Sequence, residues 1–254
     1  MNNNSYKLEL KNVYKKYSFK NGTFFETLNN ISLKINKGEF ISIIGPSGCG
    51  KSTLFNLISG LESPSSGEIL LDGNSIVNKK GNVGYMPQKD YLVPWRTVLD
   101  NIILGMEIKG SDKKSAKEKA IAYLEIFGLK SFENEYPGSL SGGMKQRAAL
   151  LRTVLLNNDV LLLDEPFGAL DEITRLQMQN WLLSIWQKFN HTVLFITHSI
   201  DEAIYLSDRV FVFSPRPASI KKEVEIDLDK QRTSAIMTDY RFTNLKRELL
   251  LLLE

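Results

Sequence analysis

Residues Gly45-Pro46-Ser47-Gly48-Cys49-Gly50-Lys51-Ser52 set three glycines, a lysine and a hydroxyl at the spacing of a phosphate-binding loop. Glycine lets the backbone turn so that several N–H groups face one anion. A helix starting at the end of the loop aims its positive dipole at the same anion. Lys51 is then placed to reach the β- and γ-phosphates of ATP and Ser52 to ligate Mg²⁺, with Thr53 next in the binding set. At average residue usage such a match arises by chance in about one chain in a hundred. The apolar run Phe40-Ile41-Ser42-Ile43-Ile44 just before it makes chance a poorer account still.

Two further segments complement that loop. Val160-Leu161-Leu162-Leu163-Asp164-Glu165 is an apolar strand ending in two carboxylates. In open parallel sheets ligands bind at the carboxyl ends of strands. Asp164 is therefore a candidate to hold Mg²⁺ through water, and Glu165 to polarise an attacking water. Ser139-Leu140-Ser141-Gly142-Gly143-Met144-Lys145-Gln146-Arg147 is a small-residue loop opening a helix, a second anion-binding helix start in the same chain.

The elements that must position these groups are legible from periodicity. The first forty residues alternate apolar and polar in places, with turn signals at Asn21-Gly22 and Lys37-Gly38, which predicts short strands with one wet face. A helix is predicted from about Ser52 to Ser59, with Leu54, Leu57 and Ile58 as its apolar face. Helical texture dominates from about Asp90 to Asn157. There Ser111-Asp112 can cap a helix with Ala120, Ile121, Leu124 and Phe127 on one side, and its lysines read as a solvated face. Val160–Leu163 and Thr192–Ile196 read as strands buried on both faces. Between them Met178, Trp181, Leu182, Ile185 and Phe189 recur at helical spacing, with Trp181 and Trp186 as core rather than ligand platforms. Alternating strands and helices imply a parallel sheet with helices on its faces.

Leu140-Ser141-Gly142-Gly143 followed by Gln146-Arg147 resembles the signature motif of ABC ATPases. Other motifs of that family then follow in order. Tyr17 resembles the aromatic residue that stacks on adenine, with Tyr14 as a nearby rival. Gln88 resembles the glutamine that contacts Mg²⁺ and the attacking water. Ala169-Leu170-Asp171 resembles the loop that communicates between paired subunits, and His198 the switch histidine that contacts the γ-phosphate. Leu140, Ser141, Gly142, Gly143 and Gln146 are, by this resemblance, the contacts to ATP held by a second copy.

The resemblance spans roughly Leu8 to Val212. It implies an α/β fold: a RecA-like P-loop NTPase core (1–89 and 158–218), an N-terminal antiparallel β lobe and an inserted α-helical lobe (90–157), with a tail at 219–254. It implies catalysis by Glu165, His198 and Gln88, and Mg²⁺ held by Ser52, Gln88 and Asp164. Asp164-Glu165-Pro166-Phe167-Gly168-Ala169-Leu170-Asp171, the stretch Tyr91–Asn101 and Ser214-Pro215-Arg216-Pro217 are similar to importer subunits serving nitrate, sulfonate and taurine. Leu151-Arg152-Thr153 and Ser199 depart from the usual forms.

The implied partners are a second copy in an ATP-sandwich homodimer, integral-membrane permease subunits and, indirectly, a solute-binding protein, which places the chain at the cytoplasmic face of the membrane. No apolar run approaches the ~20 residues of a spanning helix. A net charge of +3, from 32 Lys and Arg against 29 Asp and Glu, is too balanced to argue for nucleic acid. The single cysteine excludes an internal disulfide framework. Cys49 lies in the phosphate loop, where the adjacent helix start favours a reactive thiol. Maleimide inactivation with protection by ATP is therefore expected, unless Cys49 is an inert small residue. The tail leucines Leu245, Leu249 and Leu252 or Leu253 could form an apolar face that docks on the core. Trp95 is open between a plug for the helical lobe and an anchor for a partner.

Overall fold

The computed structural model describes residues 6–19, 22–229 and 232–254. Residues 1–5, Asn21 of the expected turn and the Phe189 side chain lie outside the described set.

Two long antiparallel strands, β1 (Leu8–Ser18) and β2 (Phe24–Ile35), come first. Then β3 (Phe40–Ile44) runs into the glycine loop and α1 (Lys51–Ile58) leaves it. The chain returns through β4 (Ser66–Leu71) and β5 (Asn74–Ser75) to complete a four-stranded antiparallel sheet, ordered β2-β1-β4-β5. The β lobe is thus built from two separate stretches of chain. Next, β6 (Gly84–Met86) leads into four helices, α2 (Val98–Ile102), α3 (Leu104–Ile108), α4 (Lys113–Leu124) and α5 (Gly142–Leu155). Strands and helices then alternate: β7 (Val160–Asp164), α6 (Glu172–Phe189), β8 (Thr192–Ile196), α7 (Ile200–Leu206), β9 (Arg209–Phe213) and β10 (Ile220–Glu225), with α8 (Tyr240–Leu253) following.

The second sheet is ordered β10-β9-β3-β8-β7-β6; β10 pairs antiparallel with β9 and the other neighbours are parallel. Each residue of β3, β7 and β8 is buried, because both faces of this sheet are covered. Its strands divide their side chains between two cores. Leu161, Leu163, Val193, Phe195, Val210 and Val212 face the core shared with the helical segment and α6. Val160, Leu162, Leu194, Ile196, Phe211 and Phe213 face the core shared with α1 and the β lobe. This period-2 division is why apolar runs, rather than alternating patterns, mark these strands in the sequence.

Trp181 and Trp186 are both buried, and the Trp186 indole donates to Gly38 O at 2.9 Å. Asp112 caps α4 by accepting from Ser115 N, and Ala120, Leu124 and Phe127 are buried below it. Ile121 is not: it points to solvent, one helical step off the packed stripe. Two of the α4 lysines are paired, Lys117 to Asp100 at 3.0 Å and Lys113 to Asp100 and Glu107. The tail helix α8 packs Phe242 and Leu249 fully into the main core, with Leu245, Leu252 and Leu253 alongside. Lys246–Asp201 and Lys222–Glu248 ion pairs, both 2.8 Å, fasten its polar edge. No helix among the described residues is long and apolar enough to cross a membrane.

Candidate functional site

The glycine loop turns from β3 into α1 at Gly50, whose φ of +131° suits only glycine. A Cβ there would also stand 2.8 Å from Leu28 Cδ2. Lys51 heads the helix, and its ammonium folds back to donate to Gly45 O (2.8 Å) and Pro46 O (3.0 Å). Gly45, Pro46, Ser47 and Gly48 form the loop, with Ser52 exposed and Thr53 half-buried on the first helical turn. The Cys49 side chain is 2% exposed and packs into the β-lobe core. That burial overturns the expectation of an accessible, ATP-shielded thiol.

The register of β7 against β8 sets Asp164 opposite Ile196. Glu165 and His198 therefore leave neighbouring strands at the same end of the sheet. Glu165 takes φ +50°, a left-handed backbone that non-glycine residues rarely adopt and that clusters at functional sites. Its N–H donates to Ile196 O at 2.9 Å, which holds that conformation. One carboxylate oxygen lies 2.5 Å from His198 Nε2, and the other accepts from Gln88 Nε2 at 3.0 Å. Three segments, following β6, β7 and β8, thus converge on one carboxylate.

Asp164 is 1% exposed, and its Oδ1 has no hydrogen-bond partner. Burial pushes its carboxyl above the usual aspartate range; a hydrogen bond from Ser52 and the Lys51 charge work against that, while Glu165 adds to it. A cleft of about 570 Å³ joins Ser52, Asn56, Tyr85, Gln88, Tyr91 and Asp164. The oxygens of Ser52, Gln88 and Asp164 are hard donors suited to Mg²⁺, which takes its remaining ligands from water and phosphate. The unpaired buried Asp164 oxygen fits such an ion. Among the described residues no group of three or more His, Cys, Asp or Glu could cage a metal without those outside ligands.

The Leu140–Gly143 loop enters α5 through Ser141, whose hydroxyl caps the helix by accepting from Met144 N at 3.3 Å. Leu140 is buried as its anchor, while Ser141 and Gly142 are exposed. At Gly143 a Cβ would stand 3.1 Å from Leu170 Cδ2, so a small residue lets the 169–171 loop approach. Gln146 differs from expectation. It is buried, its amide nitrogen donates to Glu165 O at 3.4 Å, and its oxygen accepts from Ala169 N at 2.9 Å. It braces the strand end at Glu165 against the 169–171 loop rather than pointing away from its own chain. Asp171 caps α6 by accepting from Thr174 N, and that bond holds its carboxyl below the usual range.

Tyr17 sits on the β lobe beside the first turn of α1, hydrogen-bonded to Thr53 and donating to Glu62 at 2.5 Å. Burial and Glu62 push its phenol up to about 12. Lys15 stands 4.6 Å from the ring centre, a cation–π contact on the same strand. The rival Tyr14 pairs with Ser66 on β4 instead.

Several residues that position the site were given no role by the sequence. Asn101 is fully buried and shapes the 93–97 loop: its oxygen accepts from Val93 N (2.6 Å), and its nitrogen donates to Val93 O, Arg96 O and Thr97 O. Arg152 on α5 donates to Asp90 O and Tyr91 O just after Gln88. Glu202 is buried beneath the His198 loop, bonded to Thr197 and Gln179, and 3.8 Å from Arg175, which itself donates to Leu170 O. Trp95 is 79% exposed and Tyr91 65% exposed, so neither plugs a core.

The sequence profile of the ABC transporter family matches residues 28–168. An uncharacterized ABC transporter ATP-binding protein of Methanocaldococcus jannaschii is 47% identical over 92% of this chain and 88% of its own. The formylaminopyrimidine import ATP-binding protein ThiZ of Halalkalibacterium halodurans is 42% identical over 95% of both chains. The aliphatic sulfonates import ATP-binding protein SsuB of Bacillus anthracis is 42% identical over 94% of this chain and 93% of its own. Among solved structures, a dimeric bacterial ABC transporter cassette superposes with a TM-score of 0.79 at 30% identity, over 87% of this chain and all of the other. The post-hydrolysis state of that cassette, bound to ADP and Pi, matches equally. The α/β core, its phosphate loop and the convergent strand ends are therefore those of a known ATPase fold, and the chain belongs to the ABC transporter family as one of its ATP-hydrolysing cassettes.

Proposed function

We propose that this chain powers an importer of small anionic or organic solutes, acting as a homodimer beneath separate permease subunits. The observation that carries the reading is the Glu165 carboxylate held between Gln88 and His198, beside Asp164 and the phosphate loop. Phosphoryl transfer needs positioning and charge neutralisation more than covalent chemistry. In this reading the loop N–H groups and Lys51 bind the phosphate chain, and Tyr17 stacks on adenine. Gln88 and His198 hold Glu165 where it orients the attacking water and accepts its proton. Mg²⁺, held by Ser52, Asp164 and Gln88, would neutralise charge on the β- and γ-phosphates. The relatives named for import of formylaminopyrimidine and aliphatic sulfonates support an importer role and a solute of that chemical range.

One copy holds one phosphate loop and one exposed Ser141–Gly142 helix start. Two copies packed head to tail about a two-fold axis would complete two equal sites. ATP then glues the pair, and hydrolysis releases it, a two-state element that can drive a membrane partner. In this reading the helical segment 90–157, with exposed Tyr91 and Trp95 next to Gln88, faces the permease, and the chain works at the cytoplasmic face of the membrane. A solute-binding protein is the indirect partner that selects cargo.

Size-exclusion chromatography of Glu165→Gln with Mg-ATP tests the assembly. The variant should bind ATP and shift from monomer to dimer. A variant that hydrolyses normally and stays monomeric contradicts the reading.

A further inference from the structure

Arg216 belongs to the Ser214-Pro215-Arg216-Pro217 stretch, but no role has been given to it. It follows β9, the strand next to β3, so the sheet brings the 214–219 loop alongside the phosphate loop. Its guanidinium donates to Gly48 O, in the middle of that loop. The same guanidinium stands 4.5 Å from the centre of the Phe25 ring. Phe25 is the direct cross-strand partner of Tyr17, and directly opposed residues project from the same face of a sheet. The 214–219 loop is fastened to the β lobe by Ala218, which pairs with Leu28 and donates to Thr27 O at 2.9 Å. Arg216 therefore bridges the strand pair that carries Tyr17 and the loop that cradles phosphate.

Among the described residues no carboxylate is seen in an ion pair with Arg216. Arg209, by contrast, is paired to Glu39 and Glu223. A guanidinium without a carboxylate, presented on an aromatic face beside a nest of N–H groups, matches a phosphate ligand in charge and geometry. A backbone carbonyl is a weaker acceptor for it than a phosphate oxygen.

We propose that Arg216, seated on Phe25, is a nucleotide-binding residue that exchanges the Gly48 carbonyl for the phosphate chain of a bound nucleoside triphosphate. This rests on the nucleotide site proposed above. It adds to that site a second cation besides Lys51, supplied by the 214–219 loop. The exchange has two consequences. Affinity gains a salt-dependent part that adenosine does not share. It also releases Gly48 from its cross-link to the 214–219 loop.

The test is competition by ATP and by adenosine against a fluorescent ATP analogue, for wild type, Arg216→Ala, Arg216→Lys and Phe25→Ala. Arg216→Ala should weaken ATP about tenfold and leave adenosine unchanged. Arg216→Lys should recover part of the loss, since it keeps charge but not the planar fork. Phe25→Ala should weaken ATP less than Arg216→Ala, and the double variant should be no worse than Arg216→Ala alone. The ATP difference between wild type and Arg216→Ala should shrink in 1 M salt. Unchanged ATP affinity in a folded Arg216→Ala overturns the proposal, as does an equal loss for ATP and adenosine. Failure of wild type to bind ATP at all would instead overturn the nucleotide site itself.

Discussion

Asn101→Ala is the sharpest structural perturbation near the 93–97 loop. The amide makes four hydrogen bonds to the 93–97 backbone. Two of its acceptors keep another donor: Val93 O still receives Arg96 N at 3.1 Å, and Thr97 O still receives Asn101 N at 2.9 Å. Val93 N–H and Arg96 O lose the partners described for them. An orphaned buried group costs about 1–3 kcal/mol, and partial access of water to this loop holds the total to about 2–3 kcal/mol. For a chain of this size that is a fall in Tm of about 5–10 °C. Trp95→Ala is the control: the side chain is 79% exposed, so its removal should change stability by less than about 0.5 kcal/mol. Thermal melts of the isolated chain read both. Basal ATPase should survive Trp95→Ala, while transport by the assembled complex should fall. A Trp95→Ala melt as low as that of Asn101→Ala, or an Asn101→Ala melt equal to wild type, refutes the account of this loop.

Two further outcomes follow from burial and pairing. Maleimide should label Cys49 slowly, at the same rate with and without ATP, and rapidly only in denaturant, because the thiol is packed in the core; fast native labelling blocked by ATP would contradict its placement. Lys7 is buried 2.7 Å from both Asp72 and Asp159, and its hydrogen bond holds the Asp159 carboxyl below the usual range. A depressed carboxylate stabilises the fold above its unfolded value of about 3.9 and ceases to as pH falls through its folded value. Asp159→Asn should therefore lower stability at pH 7 by at most about 1 kcal/mol, Asp159 being largely exposed, and the gap to wild type should close at strongly acid pH. A gap that widens in acid would reverse the sign of this linkage.

The fold was legible where one residue type repeats with one period. Val160–Leu163 and Thr192–Ile196 read as doubly buried strands because parallel strands covered by helices need no polar face. The phosphate loop and Asp164-Glu165 were legible because their chemistry depends on residues adjacent in sequence. Gln146 was misassigned for the opposite reason. Its neighbours in the motif face outward, and nothing local says that its amide turns in to join Glu165 to Ala169. Asn101, Arg152 and Glu202 act through partners that are distant in the chain or on irregular backbone, so no spacing announces them. The Cys49 side chain followed the inward face of its turn, although the loop's function had suggested the outward one. Ile121 shows the limit of a helical stripe: its position is a step from Ala120, and only packing decides which residue is covered.

The central claim is that Glu165, held by Gln88 and His198, does the work of turning over ATP. Phosphate release by the purified chain with saturating Mg-ATP, wild type against Glu165→Gln, measures it directly. Wild type should hydrolyse ATP, and the variant should keep ATP affinity while turnover falls by about 10²-fold or more. Equal turnover in the two proteins, or a wild type that binds ATP and never releases phosphate, would contradict it.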